Sequence, residues 1–307
     1  MPTAASGQQF ELSAGTQRAT VVEVGGGLRT YTLDDWSILD GYPIDRMCDG
    51  GRGQPLLPWP NRLADGRYHF DGQDYQLPID EVSVSNAIHG LTRWLNWTAV
   101  DQQPSQVTLA QTLHPRAGYP FSLELRLSYR LDDDGLTVTT QATNVGERSL
   151  PFGAGFHPYF SVGTPLVNDA TLRVPADQTL ELDARSLPTG RVRDVANTEL
   201  DFRVAHGIGT TKLDTCYTGL QHDARGETGV ELSGPDGRRV TIWMDANFGW
   251  VMVYSGETLV PERRRQGLAV EPMTCPPNAF RTGDGLRVIA PGEAFEARWG
   301  VRPSRPA

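Results

Sequence analysis

Cysteine is scarce in this chain, with Cys48, Cys216 and Cys275 the three present in 307 residues. They are far apart, odd in number and never in C-x-x-C spacing, which excludes a disulfide framework and a thiolate zinc site and fits a reducing cytoplasm. Positive charge is also in deficit, 28 Lys and Arg standing against 37 Asp and Glu for a net charge of −9. The two signs are interspersed, so no basic stripe exists to neutralise a nucleic-acid backbone or an anionic membrane. Nowhere do about eighteen apolar residues run together, and no membrane span is expected. The stretch from Met1 to Gly7 lacks both the basic and the apolar region of a secretory signal. Helical periodicity is thin as well, since no window keeps apolar residues at i, i+3, i+4, i+7 for three turns.

What is there is strand after strand. Ala19 to Val24, the triplet Gly25-Gly26-Gly27 and Leu28 to Leu33 read as a hairpin, and so do Arg67 to Phe70 and Gln73 to Leu77 around Asp71-Gly72, the signal of a type I′ turn. Leu123 to Leu131 alternates apolar and polar residues, turns at Asp134-Gly135 and returns as Leu136 to Ala142. Period two over that length describes a sheet with one face buried and one wet. Val107 to Leu113, Val230 to Ser233 with Arg239 to Met244, Trp250 to Tyr254 and Phe295 to Val301 supply further strands. The expectation is an all-β fold of antiparallel strands, two large sheets packed face to face. No linker or shift of composition divides the chain, so residues 1–307 read as a single domain. Long loops are expected over 34–62, 79–95 and 145–165, where a rigid sandwich would carry its function.

Three residues stand out as candidates for chemistry. Glu271 follows the apolar run Leu268-Ala269-Val270 and precedes Pro272, which has no backbone donor and should end the strand there. A carboxylate at a strand end either faces water or is aimed into a cleft. His157 lies between Gly153-Ala154-Gly155-Phe156 and Pro158-Tyr159-Phe160, and His89 lies in Ala87-Ile88-His89-Gly90. Either imidazole could serve as an acid or merely bond a nearby carbonyl. No H-x-H or H-x-x-x-H spacing offers a metal site. No G-x-S-x-G marks a serine nucleophile, and Gly51-Arg52-Gly53 and the run Gly207 to Lys212 do not continue into a phosphate-binding loop.

Five segments in order resemble one family, the aldose 1-epimerases or galactose mutarotases, in a bacterial branch. They are the run Pro60-Asn61-Arg62-Leu63-Ala64-Asp65-Gly66, then Asn86-Ala87-Ile88-His89-Gly90, Phe156-His157-Pro158-Tyr159-Phe160, Leu213-Asp214-Thr215-Cys216-Tyr217 and Val270-Glu271-Pro272-Met273. The resemblance implies a galactose mutarotase-like β-sandwich, or supersandwich, whose concave face holds one pyranose. It implies Glu271 as general base, His157 as general acid, and Arg62, His89 and Asp214 as hydrogen-bonding partners of the sugar hydroxyls. It also implies a free monosaccharide, galactose or glucose, as the substrate, with no cofactor and no metal, in a monomer or homodimer. Ser161-Val162-Gly163 departs from the pattern that commonly follows the Tyr-Phe pair, and that bears on the sugar preferred.

The implied chemistry asks for these residue types. Opening a pyranose needs a proton removed from the C1 hydroxyl while another reaches the ring oxygen. A carboxylate can accept the first, and an imidazole, with an ordinary pKa of about 6.5, can supply the second. Trp59, Tyr159 and Phe280 are candidates to stack on the sugar. A hexose 6-phosphate epimerase remains open through Arg52 and Arg263-Arg264-Arg265, as does a sugar-binding protein without turnover. A glycosidase is a poorer fit, since it needs a second carboxylate.

Overall fold

The structure is a computed structural model that describes residues 3–306, so the first two residues of the N-terminal stretch lie outside it. Every strand pair is antiparallel, and the strands form two large sheets and several small ones. A nine-stranded sheet is built around the hairpin Leu123–Asp132 and Gly135–Asn144, whose other edge is held by Ala294–Ser304. Its alternation is the one read from the sequence: Leu123, Leu125, Leu127, Tyr129 and Leu131 are buried, and their neighbours face outward. Each such side chain contributes about 1.5–3 kcal/mol when taken from water, which makes this hairpin a strong organiser of the core.

An eight-stranded sheet runs Pro188–Asp194, Ala176–Leu182, Asp214–Leu220, Trp250–Tyr254, Leu268–Met273, Gly155–Phe156 and Pro55–Leu56, with Tyr159–Phe160 also beside Leu268–Met273. The two sheets share one core, and Phe156 of the second meets Trp299 of the first at 5.0 Å between ring centroids. A four-stranded N-terminal sheet, Gln9–Ala14 to Trp36–Ser37, contains the predicted glycine hairpin. The second predicted hairpin pairs Phe70 with Gln73 across Asp71-Gly72, both at positive φ, as a type I′ turn requires. Among the described residues, helix is confined to Ala279–Thr282 and three 3-10 turns. No helix among the described residues is long and apolar enough to cross a membrane. Cys48, Cys216 and Cys275 are buried free thiols.

The expected strand end at Glu271 is corrected. Leu268–Met273 continues through Glu271 and Pro272, all six residues are buried, and Pro272 pairs with Val251. Proline is tolerated because of where its missing donor points. The amides of Val270 and Thr274 reach across to Pro158 and Ala154, so position 272 faces that same side. The register puts Phe156, the last residue of Gly155–Phe156, opposite Pro272, so the donor that proline lacks falls where that short segment stops and the neighbouring strand breaks off until Tyr159–Phe160.

Candidate active site

That break places the site. Gly155 pairs with Met273 and Tyr159 with Ala269, so His157 stands opposite Glu271 in the same register. On the other flank Glu271 pairs with Met252 and Met252 with Cys216, while Tyr254 pairs with Asp214. Directly opposed residues share a face of a sheet, and so do residues two apart. Asp214, Tyr254, Glu271 and His157 therefore project together from the face opposite the Leu268 and Val270 core. The loops expected over 34–62 and 79–95 contain short strands that complete the wall: Arg62–Ala64 pairs with Asn86–Ile88, placing Arg62 and His89 at the same end. The result is a cleft of about 410 Å³ lined by Glu271, His157, His89, Arg62 and Asp214 among others. All five residues singled out from the sequence meet in one cavity.

Glu271 is 2 % exposed, and its Oε1 lies 3.2 Å from His157 Nε2. Among the described residues neither Glu271 Oε2 nor His157 Nδ1 has a hydrogen-bond partner. Burial pushes the Glu271 carboxyl well above the usual carboxylate range, the Asp214 charge adds to the push and Arg62 opposes it. Burial also pushes His157 down to about 3; its own backbone opposes that fall, while the guanidinium groups of Arg93, Arg52 and Arg62 reinforce it. This environment favours the uncharged form of each partner.

His89 is held differently. Its backbone has φ of 63°, its N–H donates to the Asn61 carbonyl at 2.9 Å, and the Asn61 N–H donates to His89 Nδ1 at 3.2 Å. Nδ1 is therefore the acceptor, which leaves the proton of the neutral ring on Nε2. The ring stands edge-on to His157 at 5.3 Å. Burial holds its pKa well below the usual value, with His157, Arg93 and Arg62 adding to the effect.

Arg62 donates through Nε and Nη2 to both carboxylate oxygens of Glu81 at 2.9–3.1 Å, and Glu81 Oε2 also accepts from Asn86 Nδ2 at 3.0 Å. The arginine is thus both ion-paired and part of the cleft. Asp214 is exposed to solvent yet hemmed in by the cleft walls, which raise its pKa; Arg62 opposes the rise and Glu81 adds to it.

The candidate stacking aromatics are redistributed. Trp59 and Phe280 pack on each other at 5.4 Å within the core, and neither lines the cleft. Tyr159 does line it but is only 2 % exposed. The aromatic with the most free surface there is Trp94, 50 % exposed, with Tyr254 partly exposed beside it in the lining. Nothing in the local sequence marks Trp94, Glu81, Arg93 or Tyr254, because each is an ordinary loop or strand residue until the chain folds. The arginines considered for a phosphate are engaged elsewhere. Arg52 pairs with Asp40 and Asp49, Arg263 with Asp40, and Arg265 with Glu257, while Arg264 donates to the Leu259 carbonyl; none of them lines the cleft.

The family profile described as aldose 1-epimerase matches residues 8–302. The Escherichia coli K12 protein YihR is 37% identical over 289 residues, covering 94% of this chain and 91% of its own. Human galactose mutarotase is 29% identical over 171 residues, 53% of this chain and 48% of that one. Among solved structures, a Caenorhabditis elegans GalM/aldose epimerase homologue superposes with a TM-score of 0.87 at 19% identity, covering 98% of this chain and 99% of that chain. Galactose 1-epimerase from Lactobacillus acidophilus gives 0.81 at 21%, covering 95% and 92%. The fold is the galactose mutarotase-like β-sandwich, and the chain belongs to the aldose 1-epimerase family.

Proposed function

We propose that this protein is a cofactor-free mutarotase that interconverts the α and β anomers of a free aldohexose, galactose or glucose, with Glu271 as general base and His157 as general acid. The observation that carries the reading is the 3.2 Å contact between these two side chains inside a cleft that also presents Arg62, His89 and Asp214. A sugar hydroxyl both donates and accepts, and those three residues offer both functions.

The pair holds a proton that crosses one short contact. Its transfer to His157 leaves an ionised Glu271 and an imidazolium, and the surroundings make both unusually reactive. A carboxylate that burial disfavours is a stronger base, and an imidazolium that burial disfavours is a stronger acid. Glu271 takes the proton of the C1 hydroxyl as His157 gives its proton to the ring oxygen. The C1–O5 bond breaks, C1 becomes an aldehyde and the C1–C2 bond rotates. Reclosure on the other face returns both protons, so the catalyst ends as it began. Positioned proton transfer of this kind contributes about 10²–10⁴ in rate, enough to matter for a reaction that already proceeds in water.

Polarimetry of freshly dissolved α-galactose and α-glucose tests the reading, with NMR exchange on both sugars and their 6-phosphates. Anomer exchange well above the buffer rate is expected on the free sugars, and is expected to vanish in Glu271→Gln. Folded protein that accelerates neither free sugar would overturn it, and acceleration of the 6-phosphates alone would transfer the chemistry to a phosphorylated substrate.

A further inference from the structure

The two cleft histidines differ in how they are oriented. His89 is fixed by the Asn61 N–H on its Nδ1. His157 has no such bond to another residue, for its Nδ1 is without a partner among the described residues. An imidazole that transfers protons normally has its second nitrogen held by a hydrogen bond that sets the plane of the ring. The plane of His157 must be set by packing instead.

The packing comes from two segments. The Tyr159 ring lies nearly parallel to His157, 16° between planes and 5.1 Å between centroids. The backbone of Gly51 closes on the imidazole so tightly that a Cβ there would sit 3.1 Å from His157 Cδ2. Tyr159 is held in turn. Its hydroxyl donates to the Gly50 carbonyl at 3.0 Å, and the Arg52 guanidinium lies over its ring with Cζ 4.6 Å from the centroid. Arg52 is 1 % exposed and reaches Asp49 at 2.8 Å and Asp40 at 3.2 Å, while the Asp40 N–H donates to the Tyr159 carbonyl at 2.9 Å.

A buried arginine between two aspartates is a poor device for stability alone, because desolvation offsets most of the attraction and apolar residues often do as well. A flat, permanently charged group against a tyrosine ring supplies something an apolar residue cannot, a fixed plane with hydrogen bonds at its rim. We propose that Arg52 is a positioning residue for His157, acting through Tyr159. This rests on the reading of His157 as the acid.

The test uses Arg52→Met, Arg52→Lys, Tyr159→Leu and the double variant Arg52→Met/Tyr159→Leu, each checked for folding. In Arg52→Met, kcat should fall roughly tenfold with KM within about twofold, the pattern of a misaligned reacting group in a site that still binds its sugar. Arg52→Lys, which keeps the charge without the plane, should lose activity to a similar degree. Tyr159→Leu should match Arg52→Met, and the double variant should be no worse than Tyr159→Leu, since both act through one ring. The pH profile of kcat adds a readout that simple loosening of the fold would not move. The titratable and charged groups facing His157 are Glu271, His89, Tyr159, Arg52, Arg62 and Arg93. Deleting the Arg52 cation should shift the histidine limb to higher pH in Arg52→Met and leave it in place in Arg52→Lys.

Folded Arg52→Met with the parent kcat and pH profile would overturn the proposal. If Arg52→Met does not fold, full activity in Arg52→Lys and Tyr159→Leu, or additive losses in a double variant of those two, overturns it equally. The imidazole nitrogen NMR signals of His157 keep this test separate from the proposed reaction. They should broaden or shift in Arg52→Lys and Tyr159→Leu whether or not the parent protein turns over sugar, and unchanged signals count against the clamp.

Discussion

Glu271 on its strand and His157 in the break of the neighbouring strand stand at matching positions of one sheet, and Oε1 and Nε2 meet at 3.2 Å. Replacing either partner tests whether this contact is the machinery. Glu271→Gln and His157→Asn should each lower kcat by about 10²–10⁴ while the sugar still binds, because the hydroxyl-binding residues are untouched. Groups that act as a unit are not additive, so the double variant should lose little beyond the worse single one. Polarimetry gives the rates and calorimetry the binding. Near-parental turnover in Glu271→Gln would remove the pair from the mechanism.

Stability should depend on pH through the buried histidines. His89 is neutral in the folded chain with a pKa well below its ordinary value, while the unfolded chain takes up a proton near 6.5. A group with a depressed folded pKa adds stability above its unfolded pKa and loses it as the pH falls, here from about 6.5 downward. The raised Glu271 acts in the opposite sense, losing stability as pH rises through its folded pKa. His89→Asn, which suits the positive φ at this position, removes one of these contributions. Its unfolding free energy should therefore decline less between pH 6.5 and 5 than the parent's, the slope differing by at most about 1.4 kcal/mol per pH unit. Urea titrations at the two pH values measure this, and parallel slopes would mean that His89 does not carry the effect.

The large hairpins were legible because period-two burial is written directly into the residues, as in Leu123–Asp132, and because Asp-Gly turns declare their own geometry. Arg239–Met244 could be read from the turn that precedes it, and Trp250–Tyr254 as a short continuous apolar run, buried through its middle. Pro272 misled, since a proline need not end a strand where the donor it lacks falls at the end of the facing segment, and that depends on a strand more than a hundred residues away. Glu271, His157, His89, Arg62 and Asp214 could be named through family resemblance, and the structure brings them together. Glu81, Trp94 and the clamp on His157 could not. Their significance lies in which loop folds over which strand, and local sequence carries no sign of it.

Two neighbouring glycines separate fold from function. A Cβ at Gly53 would lie 1.9 Å from the Leu28 carbonyl oxygen, and φ there is +69°. Gly53→Ala must therefore move the backbone, and is expected to lower the Tm by several degrees or abolish folding. At Gly51 φ is +73° and the nearest obstacle is the His157 ring at 3.1 Å. Gly51→Ala carries left-handed strain of about 1–2 kcal/mol, so it should fold, and should lose kcat through displacement of the imidazole. Differential scanning calorimetry beside polarimetry distinguishes the two. Parental kcat in Gly51→Ala would show that this loop does not hold His157 in place.

Trp94 is the residue through which sugar affinity can be tested apart from chemistry. It is half exposed on the cleft wall, and the Arg93 guanidinium lies 5.8 Å from its ring. The C–H face of a pyranose is apolar and packs on such a surface, whereas the reacting C1 edge must lie toward Glu271 and His157. Trp94→Ala should therefore raise KM by about tenfold, corresponding to about 1.4 kcal/mol of binding, and leave kcat within about twofold. Because the ring is exposed, the Tm should hardly change. Phe280→Ala supplies the contrast. That ring is buried against Trp59, Tyr68 and Tyr119, so its removal should cost about 3–5 kcal/mol of stability without a selective effect on KM. A Trp94→Ala enzyme with unchanged KM for both galactose and glucose would place the sugar face elsewhere, and Tyr254, the other partly exposed aromatic of the cleft, would be the next residue to replace.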